Sequence, residues 1–144
     1  MTYGGRPHPN NPPPALPRNY LEGGYFAPDG HIKPELLTSV AQLVAQAFGR
    51  DLTNSQFRRF FDHLKAVEQR LDLMNDWRAV EGDVKKLVAF AAEAKAKRKV
   101  PSVFYDFIEK NVSHANNEKS FRRGFLEHIQ AVLAFHAYNN PRRN

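Results

Sequence analysis

Residues 52–71 read Leu52-Thr53-Asn54-Ser55-Gln56-Phe57-Arg58-Arg59-Phe60-Phe61-Asp62-His63-Leu64-Lys65-Ala66-Val67-Glu68-Gln69-Arg70-Leu71. Thr53 and Gln56 have the spacing of a capping box, which satisfies the first unpaired amides of a helix. Behind them Phe57, Phe60, Phe61, Leu64, Val67 and Leu71 recur at three- and four-residue intervals. That period makes one apolar stripe on a helix and cannot make one on a strand. The stretch predicts a long amphipathic helix, and the chain on both sides repeats the pattern.

Upstream, Pro34 suits a first helical turn, and Leu36, Leu37, Val40, Leu43, Val44 and Phe48 predict a helix that Gly49 stops. Downstream, a third helix is expected from about Asp76 to Lys97, with Trp77, Val80, Val84, Leu87, Val88 and Ala91 inward and Gly82 interrupting its early turns. Val100-Pro101 marks a break. A short helix over about Ser102–Val112 follows, with Phe104, Phe107 and Ile108 facing the core, and Ser113–Asn117 is a polar linker. The last helix, about Glu118 to Tyr138, is apolar over a wide arc through Phe121, Phe125, Ile129, Val132, Leu133 and Phe135, which places it near the centre of a bundle. No segment alternates at strand spacing. The fold class is therefore all-α, a compact bundle of about five helices.

Residues 1–30 differ in composition. They hold seven of the ten prolines and five of the eight glycines, too little apolar surface to offset the entropy of ordering. They are expected to form a disordered, Pro/Gly-rich tail, leaving residues 31–144 as the helical domain. Tyr20, Tyr25 and Phe26 are exceptions that suit pinning the end of the tail to the domain or to a partner. The loosely attached leader is the simpler expectation.

Composition narrows the function. The chain has no cysteine, which excludes disulfide scaffolds, thiol nucleophiles and cysteine metal sites. No apolar run is long enough to span a membrane, and the opening Met1–Pro14 lacks a signal-peptide pattern, so a cytoplasmic protein is expected. His8, His31, His63, His114, His128 and His136 include no pair four residues apart and no His-Glu-x-x-His, so neither metal nor cofactor is expected. His128 and His136 lie on the apolar side of the last helix and read as satisfied core histidines. Asp62-His63 point about 100° apart and read as solvated surface. No matched carboxylate pair or phosphate loop is present, so the chain is not expected to be an enzyme.

The charge is the remaining signal: 21 Lys and Arg against 15 Asp and Glu, a net +6, which favours a polyanionic partner. Three clusters carry it. Arg58 and Lys65 flank the stripe of the second helix, while Arg59 and Arg70 project from its opposite, exposed side. Lys95, Lys97, Arg98 and Lys99 end the third helix, where the helix dipole alone would favour them. Lys119, Arg122 and Arg123 open the last helix, where the dipole disfavours them, so that cluster points to a partner. No helix presents base-reading residues on one face, so contacts to phosphate and not to base edges are expected.

These residues also carry a resemblance. Leu52 through Phe61 is similar to the Leu-Thr-x-Ser-Gln-hydrophobic-Arg opening of the small subunit of type III-A CRISPR–Cas (Csm) effector complexes. Lys86-Leu87-Val88-Ala89-Phe90-Ala91-Ala92 with the basic run after it resembles a second segment of that family, and Leu133-Ala134-Phe135-His136-Ala137-Tyr138 its closing helix. Phe90 stands where the family often has Tyr, and the Arg expected soon afterwards arrives at Arg98. The resemblance covers about residues 33–140. It implies a non-catalytic subunit, present in several copies beside the backbone and large subunits, that holds target RNA paired with guide RNA without sequence specificity, in antiviral defence. By motif match Arg58 and Arg59 are the first candidate contacts, with Lys65, Lys95, Lys97, Arg98, Lys99, Arg122 and Arg123 following from charge and position. Two other readings fit the residues alone: a helical protein-interaction module, and a helix-turn-helix DNA-binding regulator using Thr53–Leu71. A small enzyme built on His128 or His136 is a third.

Overall fold

A computed structural model describes residues 12–141. Five α-helices make the domain: α1 (Ser39–Phe48), α2 (Asn54–Met74), α3 (Trp77–Ala96), α4 (Ser102–His114) and α5 (Leu126–Asn139). A single 3-10 turn, Pro34–Leu37, precedes α1, and a six-residue π-helical stretch, Ser120–Phe125, runs directly into α5. Among the described residues the only extended pairing is an isolated bridge between Phe26 and Ile32. The all-helical expectation holds.

The caps follow the sequence. Thr53 Oγ1 accepts a hydrogen bond from the Gln56 amide at 3.1 Å, and Asp76 Oδ1 accepts from the Arg78 amide at 3.1 Å. Asn75, in the left-handed region at φ 51°, ends α2, so α2 and α3 fold back on each other as an antiparallel pair. Gly82 does not interrupt α3, because it lies on the exposed side of the helix. α3 packs on α2 and α4, and α5 packs on α1 and α2. Phe48 meets Phe57, Phe104 and Phe107 edge-on, with ring centroids 5.2 to 5.6 Å apart, a geometry that aromatic quadrupoles favour.

The first helix departs from expectation. Thr38 (φ −130°, ψ −97°) breaks it, so the residues before and after belong to two short elements. The break rotates the stripe: Ala41, Val44, Ala45 and Phe48 are buried, while Leu43 is left half exposed.

The N-terminal segment is corrected more substantially. Residues 1–11 lie outside the described part of the chain. From Pro17 to Lys33, however, the chain is a series of turns laid across the bundle, and Tyr20, Leu21 and Tyr25 are buried. The expected loose attachment does not hold for these residues. Their phenols complete a polar chain inside the core. His128 Nδ1 donates to the Leu36 carbonyl at 2.6 Å, which leaves Nε2 to accept from the Tyr20 hydroxyl at 2.6 Å. Asn111 Nδ2 donates to Tyr20 at 2.9 Å, and its Oδ1 accepts from Tyr25 at 2.8 Å. Each buried group has its partner, so burial costs little. Tyr25 also fixes the choice at Gly124, where a Cβ would overlap the tyrosine ring.

Candidate nucleic-acid interface

The antiparallel α2–α3 pair sets the N-terminal end of α2 beside the C-terminal end of α3. Residues some forty positions apart thereby come together around a surface groove of about 420 Å³. From α2, Gln56, Arg59, Phe60 and His63 lie on one edge at successive turns. From α3 and its end come Phe90, Glu93, Lys97 and Lys99, with buried Leu87 forming part of the floor. Three of the expected basic residues, Arg59, Lys97 and Lys99, thus share one concave surface with a single carboxylate, Glu93.

Local geometry explains their placement. Lys97 Nζ holds Glu93 at 2.9 Å, an exposed pair that rearranges at little cost. The α3 terminus closes with the Arg98 amide on the Lys95 carbonyl and the Lys99 amide on the Ala94 carbonyl, at 3.0 and 2.8 Å. That closure needs a left-handed residue, and Arg98 supplies it at φ 59°. Basic residues 97 to 99 therefore leave a turn instead of continuing around a helix.

His63 was read from sequence as solvated surface, and the structure corrects that. It is half-buried, its Nε2 donates to the Asp83 carbonyl at 2.9 Å, and its ring stands edge-on to Phe90 with centroids 5.5 Å apart. Burial, and then the nearby Lys86 charge, hold its pKa below the ordinary value, so the neutral ring keeps Nδ1 as an acceptor. Phe90 is 44% exposed in this wall. The sequence held a signal for Phe90, an aromatic outside the Val84-Leu87-Ala91 stripe.

The other expected contacts are dispersed. Arg58 is exposed on α2 outside the groove, and Lys65 pairs with Glu68 at 2.8 Å. Lys95 lies over the Tyr105 ring of α4, 5.0 Å from its centroid. Arg70, expected to project outward, pairs with Asp83 and ties α2 to α3. Arg122 is held by three carboxylates, Asp72 at 2.7 Å, Glu118 at 2.9 Å and Glu68 at 3.5 Å, and so joins the last helix to α2. Arg123 lines a separate cleft with His31 and Phe26, where Lys119 sits 4.4 Å from the Phe26 ring centroid.

His128 and His136 are core histidines as read. Both are fully buried, and burial pushes both rings below their ordinary pKa. Among the described residues no three His, Asp or Glu side chains gather as a metal site, and no helix is long and apolar enough to cross a membrane.

Residues 31–142 match the family model described as Csm2 Type III-A. No curated protein and no solved structure matches the chain. The matched span runs from the bridge before the first 3-10 turn past the end of α5, so it takes in all five helices and both walls of the groove. The chain belongs to the Csm2 Type III-A family, the small subunits of type III-A CRISPR effector complexes.

Proposed function

We propose that this subunit is a non-catalytic RNA clamp, acting in the cytoplasm, that grips the phosphate backbone of target RNA paired with guide RNA through the α2–α3 groove, without reading sequence. The observation that carries the reading is the convergence of Arg59, Lys97 and Lys99 on one concave surface from helices distant in sequence. Cations set along a groove hold a polyanion by releasing its counterions, and they position it without specifying it. Family membership supports the setting, an assembly with backbone and large subunits and further copies of this chain. Arg98, in the turn between Lys97 and Lys99, adds a secondary contact at the end of the groove, whereas Arg58 and Lys65 lie on the opposite side of α2 and stand outside it. Arg122 belongs to the fold, and Lys119 and Arg123 to a second surface that suits a neighbouring subunit.

The test is fluorescence anisotropy of a labelled single-stranded RNA of arbitrary sequence across a salt series. Binding is expected to weaken with salt and to ignore sequence. Lys97→Ala or Arg59→Ala should lower the slope of log affinity on log salt by about 0.7 each, the value for one phosphate contact on a single strand. A preference for duplex DNA over RNA, or an affinity flat in salt, would sink the reading.

A further inference from the structure

Phosphate contacts do not account for everything in the groove. Its wall contains Phe90, a large ring left 44% exposed beside three cations. Leu43, Leu73, Met74 and Tyr138 are also exposed, but none lines the groove, so Phe90 is the exposed large apolar side chain in it. His63 braces the ring edge-on and brings an unused Nδ1, since its Nε2 is taken by the Asp83 carbonyl. Gln56 adds an amide that both donates and accepts. About 420 Å³ falls within the range of pockets that take small molecules.

We propose that the α2–α3 groove seats one unpaired nucleotide, its base stacked on Phe90 and its phosphate held by Arg59, Lys97 and Lys99. The inference rests on the RNA-binding reading above and deepens it. A base inside a duplex has both faces covered by its neighbours and cannot lie on Phe90, so the occupant is a nucleotide extruded from a helix or present in a single strand. Every base has a π-face, so stacking keeps the site indifferent to sequence. His63 and Gln56 bear on the base edge, where mixed donors and acceptors suit more than one base.

The two contributions separate by salt. Phosphate contacts weaken as salt rises, whereas stacking does not. The full-length chain is titrated into a short single-stranded RNA carrying one 2-aminopurine, with emission and anisotropy read together at low and moderate salt. On binding, wild-type protein should quench the 2-aminopurine through stacking. Phe90→Ala should lose the quench and weaken affinity about tenfold, by the same factor at both salts. Phe90→Tyr should retain quench and affinity, and Lys97→Ala should retain the quench while lowering the salt slope.

Bound wild-type protein that leaves the emission unchanged overturns the stacking site. So does Phe90→Ala behaving as wild type while Lys97→Ala still lowers the slope; the backbone clamp then stands alone. If wild-type protein binds no RNA at low salt, the clamp and the stacking site fall together. Phe90→Ala melting at the wild-type midpoint excludes loss of fold as the cause, and Phe90→Tyr retaining both signals assigns the effect to the ring.

Discussion

Arg98 occupies a backbone conformation that costs an L-residue free energy and costs glycine almost none. The α3 terminus needs that conformation, so a residue chosen for stability would be glycine. Arg98→Gly is expected to leave the melting temperature unchanged or raise it, by up to about 1 kcal/mol of stability, while weakening RNA binding. Loss of stability with unchanged affinity would make the arginine structural. His128 makes a prediction of opposite kind. Burial pushes its pKa down to about 4, against an ordinary 6.5. Between those values the unfolded chain takes up the proton and the folded chain does not, so the stabilisation is whole above about 6.5 and is lost as pH falls toward 4. The loss amounts to about 3 kcal/mol. Thermal melts from about pH 7 to about pH 4 should fall steeply for wild type and less steeply for His128→Gln; equal slopes would assign the loss to other groups. That both histidines belong to the core was legible from their place on the apolar side of the last helix. Which partners satisfy them was not, because Leu36 and Tyr20 reach His128, and Asn54 and Gly49 reach His136, only through the fold.

At the scale of elements, the last helix and α2 are joined by one guanidinium. Arg122 sits among Asp72, Glu118 and Glu68, with its side chain 24% exposed. A positive charge near the start of a helix pointed in sequence to a partner, and its partners turn out to be internal carboxylates. Arg122→Ala is expected to cost about 1–2 kcal/mol in denaturant unfolding, as charge-assisted hydrogen bonds are lost, and to leave the salt slope of RNA binding unchanged. A reduced slope with full stability would return Arg122 to the RNA surface. The helices themselves were legible, since each carries its stripe and α2 opens on its capping pair, Thr53 and Gln56. The break at Thr38 was not, for the pattern of Leu36 to Phe48 reads continuously through a change of backbone that accompanies the packing of both short elements against α5. Nor was the π-helical stretch, whose extra residue per turn accompanies the burial of Gly124, Phe125 and Leu126 in succession.

For the whole molecule, the segment from Pro17 to Lys33 ties the bundle together although its composition suggests a tail. It lies before or at the very start of the family match, which begins at residue 31. A chain beginning at residue 31 would lose Tyr20, Leu21 and Tyr25 and leave Asn111 and His128 short of partners. Each buried aromatic contributes about 1.5–3 kcal/mol and each orphaned polar group costs about 1–3 kcal/mol, together comparable with the whole stability of a small domain. Removing residues 1–30 should therefore abolish cooperative melting or lower its midpoint greatly. A 31–144 fragment that melted like the full chain would show that the tyrosines add nothing.

Sequence by itself determined the all-helical class, the number of helices, the cap of α2, the stop of α1 at Gly49 and the cluster of basic residues at the end of α3, because helix period and capping are local properties of the chain. It also carried the family, through motifs that lie on those same helices. Tertiary structure alone decided which side of α2 faces α3. An apolar stripe identifies the buried face of a helix but not which neighbour covers each flank, so Arg59 and Arg70 read as outward residues until α3 was in place. The same antiparallel return brought Phe90 and His63 to one groove with Lys97, and made two tyrosines of an apparent tail the partners of a buried histidine and asparagine. Contacts between residues forty to a hundred positions apart leave no periodic trace in a single sequence, and the candidate site is built from such contacts.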